Sequence, residues 1–154
     1  MRLFHLSSLL LLLSSTAVAC PVSLPTLCTC NDDPGGTSIS CANMVAASLL
    51  SSLQEVKSLE IVHCGLKTLR AKALPTSLEH LDFSHNRLTA IPRLLNLRKL
   101  ATLNLKGNQI SDIPGGVIEG LPVLKLLNIS MNRIKEIRDL SFRDFENCDW
   151  NRMN

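Results

Sequence analysis

Six cysteines and four histidines are the side chains of this 154-residue sequence best suited to chemistry. Cys20, Cys28, Cys30 and Cys41 crowd the N-terminal side, and four thiols can hold one zinc ion or pair as two disulfides. C-x-C stands here where zinc sites usually carry C-x2-C, which favours disulfides. Four cysteines allow three pairings, and spacing alone leaves all three open. His63, His80 and His85 lie close in sequence to Glu60 and Asp82. Such an acid–imidazole set could bind a cation or a basic partner and respond to pH near 6, while a solvated surface of mixed polarity explains the same residues. His63 beside Cys64 has the composition of a thiol–imidazole pair. Neither a G-x-S-x-G elbow, an ordered Ser/His/Asp set, a phosphate loop, H-E-x-x-H nor a calcium loop accompanies them. No catalytic residue, metal site or cofactor is therefore expected. An inhibitor or hydrolase working through the His/acid set is the alternative of a different class.

The elements that must position these residues follow from a repeat. Thirty leucines dominate the composition, against 3% aromatic and 19% charged residues and no tyrosine. That balance excludes a disordered or collagen-like chain, and a net charge of +3 gives no argument for a nucleic-acid partner. Val56-x-x-Leu59-x-Ile61-x-x-Cys64-x-Leu66-x-x-Leu69 recurs from Leu78, Leu100 and Leu124, at offsets of 22, 22 and 24 residues. The two aliphatics of each Leu-x-Leu share one face of a short strand, and successive strands lie side by side about 4.8 Å apart as a parallel sheet. Cys64, Asn86, Asn108 and Asn132 end each strand where the chain turns inward. An amide there satisfies backbone groups of adjacent turns, and a thiol does so more weakly. Pro75, Pro92 and Pro114 suit a convex side of extended or turn segments.

The same register sets the outward columns. Glu60, Asp82, Asn104 and Asn128 form one; Val62, Ser84, Lys106 and Ser130 a second; His63, His85, Gly107 and Met131 a third; Ser58, His80, Thr102 and Leu126 a fourth. The residues expected to meet a ligand are Glu60, Val62, His63, His80, Asp82, Ser84, His85, Asn104 and Lys106. No Tyr, Trp or Arg stands on this face, and those are the usual anchors of tight interfaces, so the expected affinity is modest or the ligand polar. In this register Cys64 points to the core and His63 outward, which separates the two. Asn128-Ile129-Ser130 is an N-glycosylation sequon on the outward column.

Residues 1–19 read as a cleaved secretory signal: Arg2, an apolar run through Leu13, and Ala17-Val18-Ala19 as an A-x-A site. A lipoprotein signal would prefer a larger aliphatic at Ala17. The remaining chain carries no second apolar run long enough to span a membrane, so it is expected outside the cell, where disulfides persist. Residues 20–55 form a cysteine-rich N-terminal cap, with 42–55 as a short amphipathic helix or turn. Residues 56–147 are the repeats, starting near 56, 78, 100 and 124, and 148–154 an incomplete further repeat or truncated C-terminal cap.

The Cys-Pro…Cys-x-Cys…Cys cap followed by L-x-x-L-x-L-x-x-N-x-L units resembles the extracellular leucine-rich-repeat proteins, among them small leucine-rich proteoglycans, Toll-like receptor ectodomains and variable lymphocyte receptors. The resemblance covers residues 20 to about 148. It implies the pairs Cys20–Cys30 and Cys28–Cys41, and a role in non-catalytic binding of an extracellular protein or peptide. The expected class is α/β: a right-handed leucine-rich-repeat solenoid with a parallel concave β-sheet, about four complete repeats and a disulfide-bonded N-terminal cap. One departure stands out. Phe142, Phe145 and Cys148 repeat the offsets of Ile118, Leu121 and Leu124, and the sequence stops seven residues into that unit. The expectation is a fragment, or a receptor ectodomain or matrix subunit whose last layer (Leu127, Ile129, Ile134, Ile137) associates with a partner or with itself.

Overall fold

A computed structural model describes residues 28–33, 36–42, 55–69, 72, 74–118 and 120–135. Six strands form one sheet in sequence order: β1 Cys28–Asp33, β2 Gly36–Ala42, β3 Val56–Val62, β4 His80–Asp82, β5 Thr102–Asn104 and β6 Leu126–Asn128. β1 and β2 pair antiparallel, and every later neighbour is parallel. Strict alternation builds β2, where Thr37, Ile39 and Cys41 are buried and Ser40 and Ala42 are exposed. Cys28 and Cys41 face each other across the hairpin with Cα atoms 4.1 Å apart and are joined by a disulfide. Cys30 is disulfide-bonded as well; its expected partner Cys20 lies outside the described residues.

From β3 onward each coil is bonded to the next, at offsets of 22, 22 and 24 residues. Ser58, His80, Thr102 and Leu126 are laterally paired, as are Glu60, Asp82, Asn104 and Asn128. The bonding continues past the strand ends: Phe83 N–H donates to Asn104 O (2.9 Å), Leu105 N–H to Asn128 O (2.7 Å), and His85 N–H to Lys106 O (2.8 Å). Inside run Leu59, Leu81, Leu103 and Leu127 in one column and Ile61, Phe83, Leu105 and Ile129 in another, all buried. Fully burying one such side chain stabilises by about 1.5–3 kcal/mol, which makes these columns the main source of cohesion between coils.

The α/β class does not hold. This is a β-solenoid of mostly parallel strands, with no α-helix among the described residues. The reason lies in the convex spacing. Ile91, Leu94, Leu97 and Leu100 are all buried, one every third residue, and so are Ile118, Leu121 and Leu124. In an α-helix a three-residue step falls about 60° short of a full turn, so such a row would spiral around the surface. Successive turns keep it facing inward instead. Leu97 N–H donates to Leu94 O, Leu100 to Leu97, Leu121 to Ile118 and Leu124 to Leu121, at 2.9 to 3.2 Å. Pro75 and Pro114 open two of these segments, accepting from Leu78 and Val117 at 3.4 Å.

The leader at 1–19, the helix or turn expected within 42–55 beyond Ala42 and before Glu55, and Ile137, Phe142, Phe145 and Cys148 lie outside the described residues. Leu127 and Ile129 of the last described layer are 7% and 2% exposed, and Ile134 is half-buried against the core. Among the described residues no helix is long and apolar enough to cross a membrane.

Candidate interaction face

Two sets of Asn and Asp side chains build the outward side of the sheet. The inner set turns the chain. Asn86 donates through Nδ2 to the carbonyl oxygens of Ile61, Phe83 and Ser84 (2.7, 3.0 and 3.2 Å), and its Oδ1 accepts from the N–H groups of Cys64 and Leu66, both at 3.1 Å. Asn108 repeats this toward Phe83, Leu105, Lys106 and Leu88, and Asn132 toward Leu105, Ile129, Ser130 and Ile110. In the first coil the buried Cys64 thiol faces Val62 O at 3.4 Å and Cys41 O at 3.8 Å, turned away from any role beside His63. Among the described residues no buried side-chain nitrogen or oxygen lacks a partner.

The second set caps the strands from outside. Asp82 Oδ1 accepts from Ser84 N–H (2.7 Å), Asn104 Oδ1 from Lys106 N–H (3.1 Å), and Asn128 Oδ1 from Ser130 N–H (3.1 Å) and Ser130 Oγ (2.8 Å). Each is an Asx turn, the local bond that lets Asp and Asn end extended structure. Asn104 Nδ2 also donates sideways to Asp82 Oδ2 at 2.7 Å, locking two coils together. These bonds leave the side chains little freedom before any ligand arrives. One turn residue the sequence offers to a ligand is withdrawn: Ser84 is 5% exposed, because the chain bends inward once β4 ends at Asp82, and alternation stops with it. Val62 and Lys106 are half-buried, and Glu60, His63, His80 and His85 are exposed.

The acid–imidazole set divides in two. Ser58, Glu60, His80, Asp82, Thr102, Asn104, Leu126 and Asn128 line a shallow concave depression of about 190 Å³. Inside it, His80 Nδ1 lies 2.8 Å from Thr102 Oγ1. His63 and His85 sit elsewhere, beyond the strand ends, their rings stacked on each other with centroids 4.7 Å apart and planes 15° off parallel. Both have left-handed backbones (φ 58° and 55°), as do their counterparts Gly107 (67°) and Met131 (55°). Only glycine takes this conformation without strain, so the packing of the coils holds the other three there. No His, Cys, Asp and Glu group of three or more able to hold a metal occurs among the described residues. Lys57 and Glu79 form an exposed ion pair at 3.3 Å beside the depression, a contact worth little on its own.

Gly107 has a second reason to be glycine. A Cβ there would sit 2.8 Å from Nδ1 of His85, whose ring lies against it. Gly107→Ala should therefore lower stability by about 1–2 kcal/mol, combining left-handed strain with displacement of the ring. Thermal denaturation reads the loss, and the aromatic proton shifts of His63 and His85 read the loosened stack. Unchanged ring shifts would mean that His85 does not rest on this glycine.

Sequence matches agree with this geometry. A family model described as "Leucine Rich repeats (2 copies)" matches residues 76–115, and one described as "Leucine rich repeat" matches 98–150. Lumican from Oryctolagus cuniculus is 31% identical over 94 residues, covering 60% of this chain and 48% of lumican. A volume-regulated anion channel subunit from Homo sapiens is 34% identical over 100 residues, 62% of this chain and 12% of the subunit. The crystal structure of an internalin from Listeria monocytogenes superposes with a TM-score of 0.60 at 32% identity, over 73% of this chain and 34% of the internalin. The chain thus spans about half of that lumican, about a third of the internalin and a smaller part of the channel subunit. The repeats, the internalin-like backbone and the Asx-capped sheet together describe a leucine-rich-repeat solenoid.

Proposed function

We propose that this chain, with leucine-rich-repeat matches over residues 76–115 and 98–150, is a leucine-rich-repeat protein that is secreted and binds another extracellular protein through its concave sheet. The observation that carries the reading is the depression across β3 to β6, whose acidic and amide side chains are held in place by Asx bonds. Preorganised polar groups lower the ordering cost of association and reward a partner that supplies matching donors. Glu60, His80, Asp82 and Asn104 are the contact residues, with Lys106 at the margin. His63 and His85 flank them and shape the rim. Export is supported by the signal-like pattern of residues 1–19 and by the cap disulfides, which persist in oxidising compartments.

Site-directed photocrosslinking tests this. A photoreactive side chain is placed at Glu60 on the concave face, or at Arg98 on the convex turns, and the protein is incubated with conditioned extracellular medium. A discrete protein adduct from position 60, competed by unlabelled wild type and weakened in an Asp82→Lys background, is the expected result. An adduct from position 98 with none from position 60 would overturn the concave-face reading.

A further inference from the structure

We infer that Asn128 carries an N-linked glycan whose first sugar lies over Leu126 and closes the β6 end of the concave depression. The sequon Asn128-Ile129-Ser130 permits the modification, and the fold shows what becomes of its product. Ser130 holds the amide in one orientation. Its N–H and Oγ–H both donate to Asn128 Oδ1, which turns Nδ2 away from Ser130 on a residue that lines the depression. The equivalent nitrogen of Asn104 is engaged by Asp82 at 2.7 Å, whereas Asn128 Nδ2 makes no hydrogen bond among the described residues. A glycosidic bond at Nδ2 consequently breaks nothing in the fold.

Leu126 is the second observation. It is 44% exposed and lines the depression two residues before Asn128, on the same face of β6. Ser58, His80 and Thr102 hold the corresponding place on β3, β4 and β5, all of them polar. An exposed leucine in that row is out of keeping with its neighbours, and the C–H-rich face of an N-acetylglucosamine attached two residues away would cover it. Covering apolar surface is favourable in proportion to the area removed from water. With the sugar in place, a protein ligand is confined to β3, β4 and β5, where Glu60, His80 and Asp82 lie.

The inference rests on the secretory reading above, and one experiment separates the two. The full chain is expressed in a eukaryotic secretory cell line, and protein is recovered from medium and cytosol for intact-mass measurement before and after peptide N-glycosidase. Protein in the medium carrying a glycan mass at Asn128 is expected. Unmodified protein in the medium overturns the glycan while leaving export standing, and protein confined to the cytosol overturns both. The contact with Leu126 has its own test. Enzymatic release of the glycan leaves the turn bonds of residue 128 to Ser130 in place and should lower the melting temperature. In a Leu126→Ser background the same release should have no effect, and an undiminished drop there would overturn the packing.

Discussion

Asn86→Ala should be the most damaging of the single amide substitutions, lowering stability by about 3–5 kcal/mol, since each buried backbone group left without a partner costs about 1–3 kcal/mol. Its side chain serves five backbone groups on two coils, and the N–H groups of both Cys64 and Leu66 depend on its one oxygen. Asn108 is the comparison that makes the prediction sharp. It touches as many carbonyls, but its oxygen holds only the Leu88 N–H, so Asn108→Ala should cost less. Urea denaturation of both variants gives the order. Equal losses, or a larger loss at Asn108, would show that the carbonyl side dominates and that the doubly used oxygen of Asn86 adds nothing. Hydrogen exchange of the Cys64 and Leu66 amides should rise in Asn86→Ala even below the melting transition.

The second large effect is expected at Phe83. It is fully buried in a column otherwise occupied by Ile61, Leu105 and Ile129. Phe83→Ala opens a void between layers that are fixed laterally by backbone bonds and cannot close over it, a loss of about 3–5 kcal/mol. Phe83→Leu restores the residue type of the neighbouring layers and should cost about 1.5 kcal/mol or less. A Leu variant as unstable as the Ala variant would mean that the ring itself, and not the filled volume, supports the layer. Because coils touch only their neighbours, the damage should stay within the second coil and the first and third beside it, leaving protection of the β1–β2 hairpin amides close to the wild-type level.

Parts of this architecture are readable from residue types alone, and the reasons for the failures are instructive. The Leu-x-Leu pairs and the recurring Asn keep the same internal spacing in every unit, 22, 22 and 24 residues apart, because every coil must repeat the same strand geometry to bond to the next, so the pattern reveals the sheet register directly. The α/β class fails where a different count was needed. Ile91, Leu94, Leu97 and Leu100 recur every third residue, a period that suits consecutive turns and not a helix. Ser84 departs from the outward column for a related reason: strict alternation would face it outward, but the strand ends at Asp82 and the chain bends inward there. The Asx column was visible as Asp82, Asn104 and Asn128 at equivalent positions, and a turn-forming residue at a fixed offset is a signal in its own right. The left-handed backbone at His63, His85 and Met131 had no such sign. Histidine visits that conformation more often than most residues but methionine does not, and Gly107 is the clearest hint of it in the column. Tertiary packing imposes it, and packing is not written in any one residue.

The coil-to-coil bonding also decides how the molecule bears load. Bonds such as Phe83 to Asn104 and Leu105 to Asn128 join each coil to the next one and to no other. Tension applied along the stack is therefore carried in series, as in a zip fastener, with no single clasp holding the whole. Extension proceeds one coil at a time, each coil of 22 or 24 residues releasing roughly 75 to 80 Å of chain at about 3.4 Å per residue. At the N-terminal end the pull meets a covalent stop, since the Cys28–Cys41 bridge closes the hairpin against which the first coil is paired.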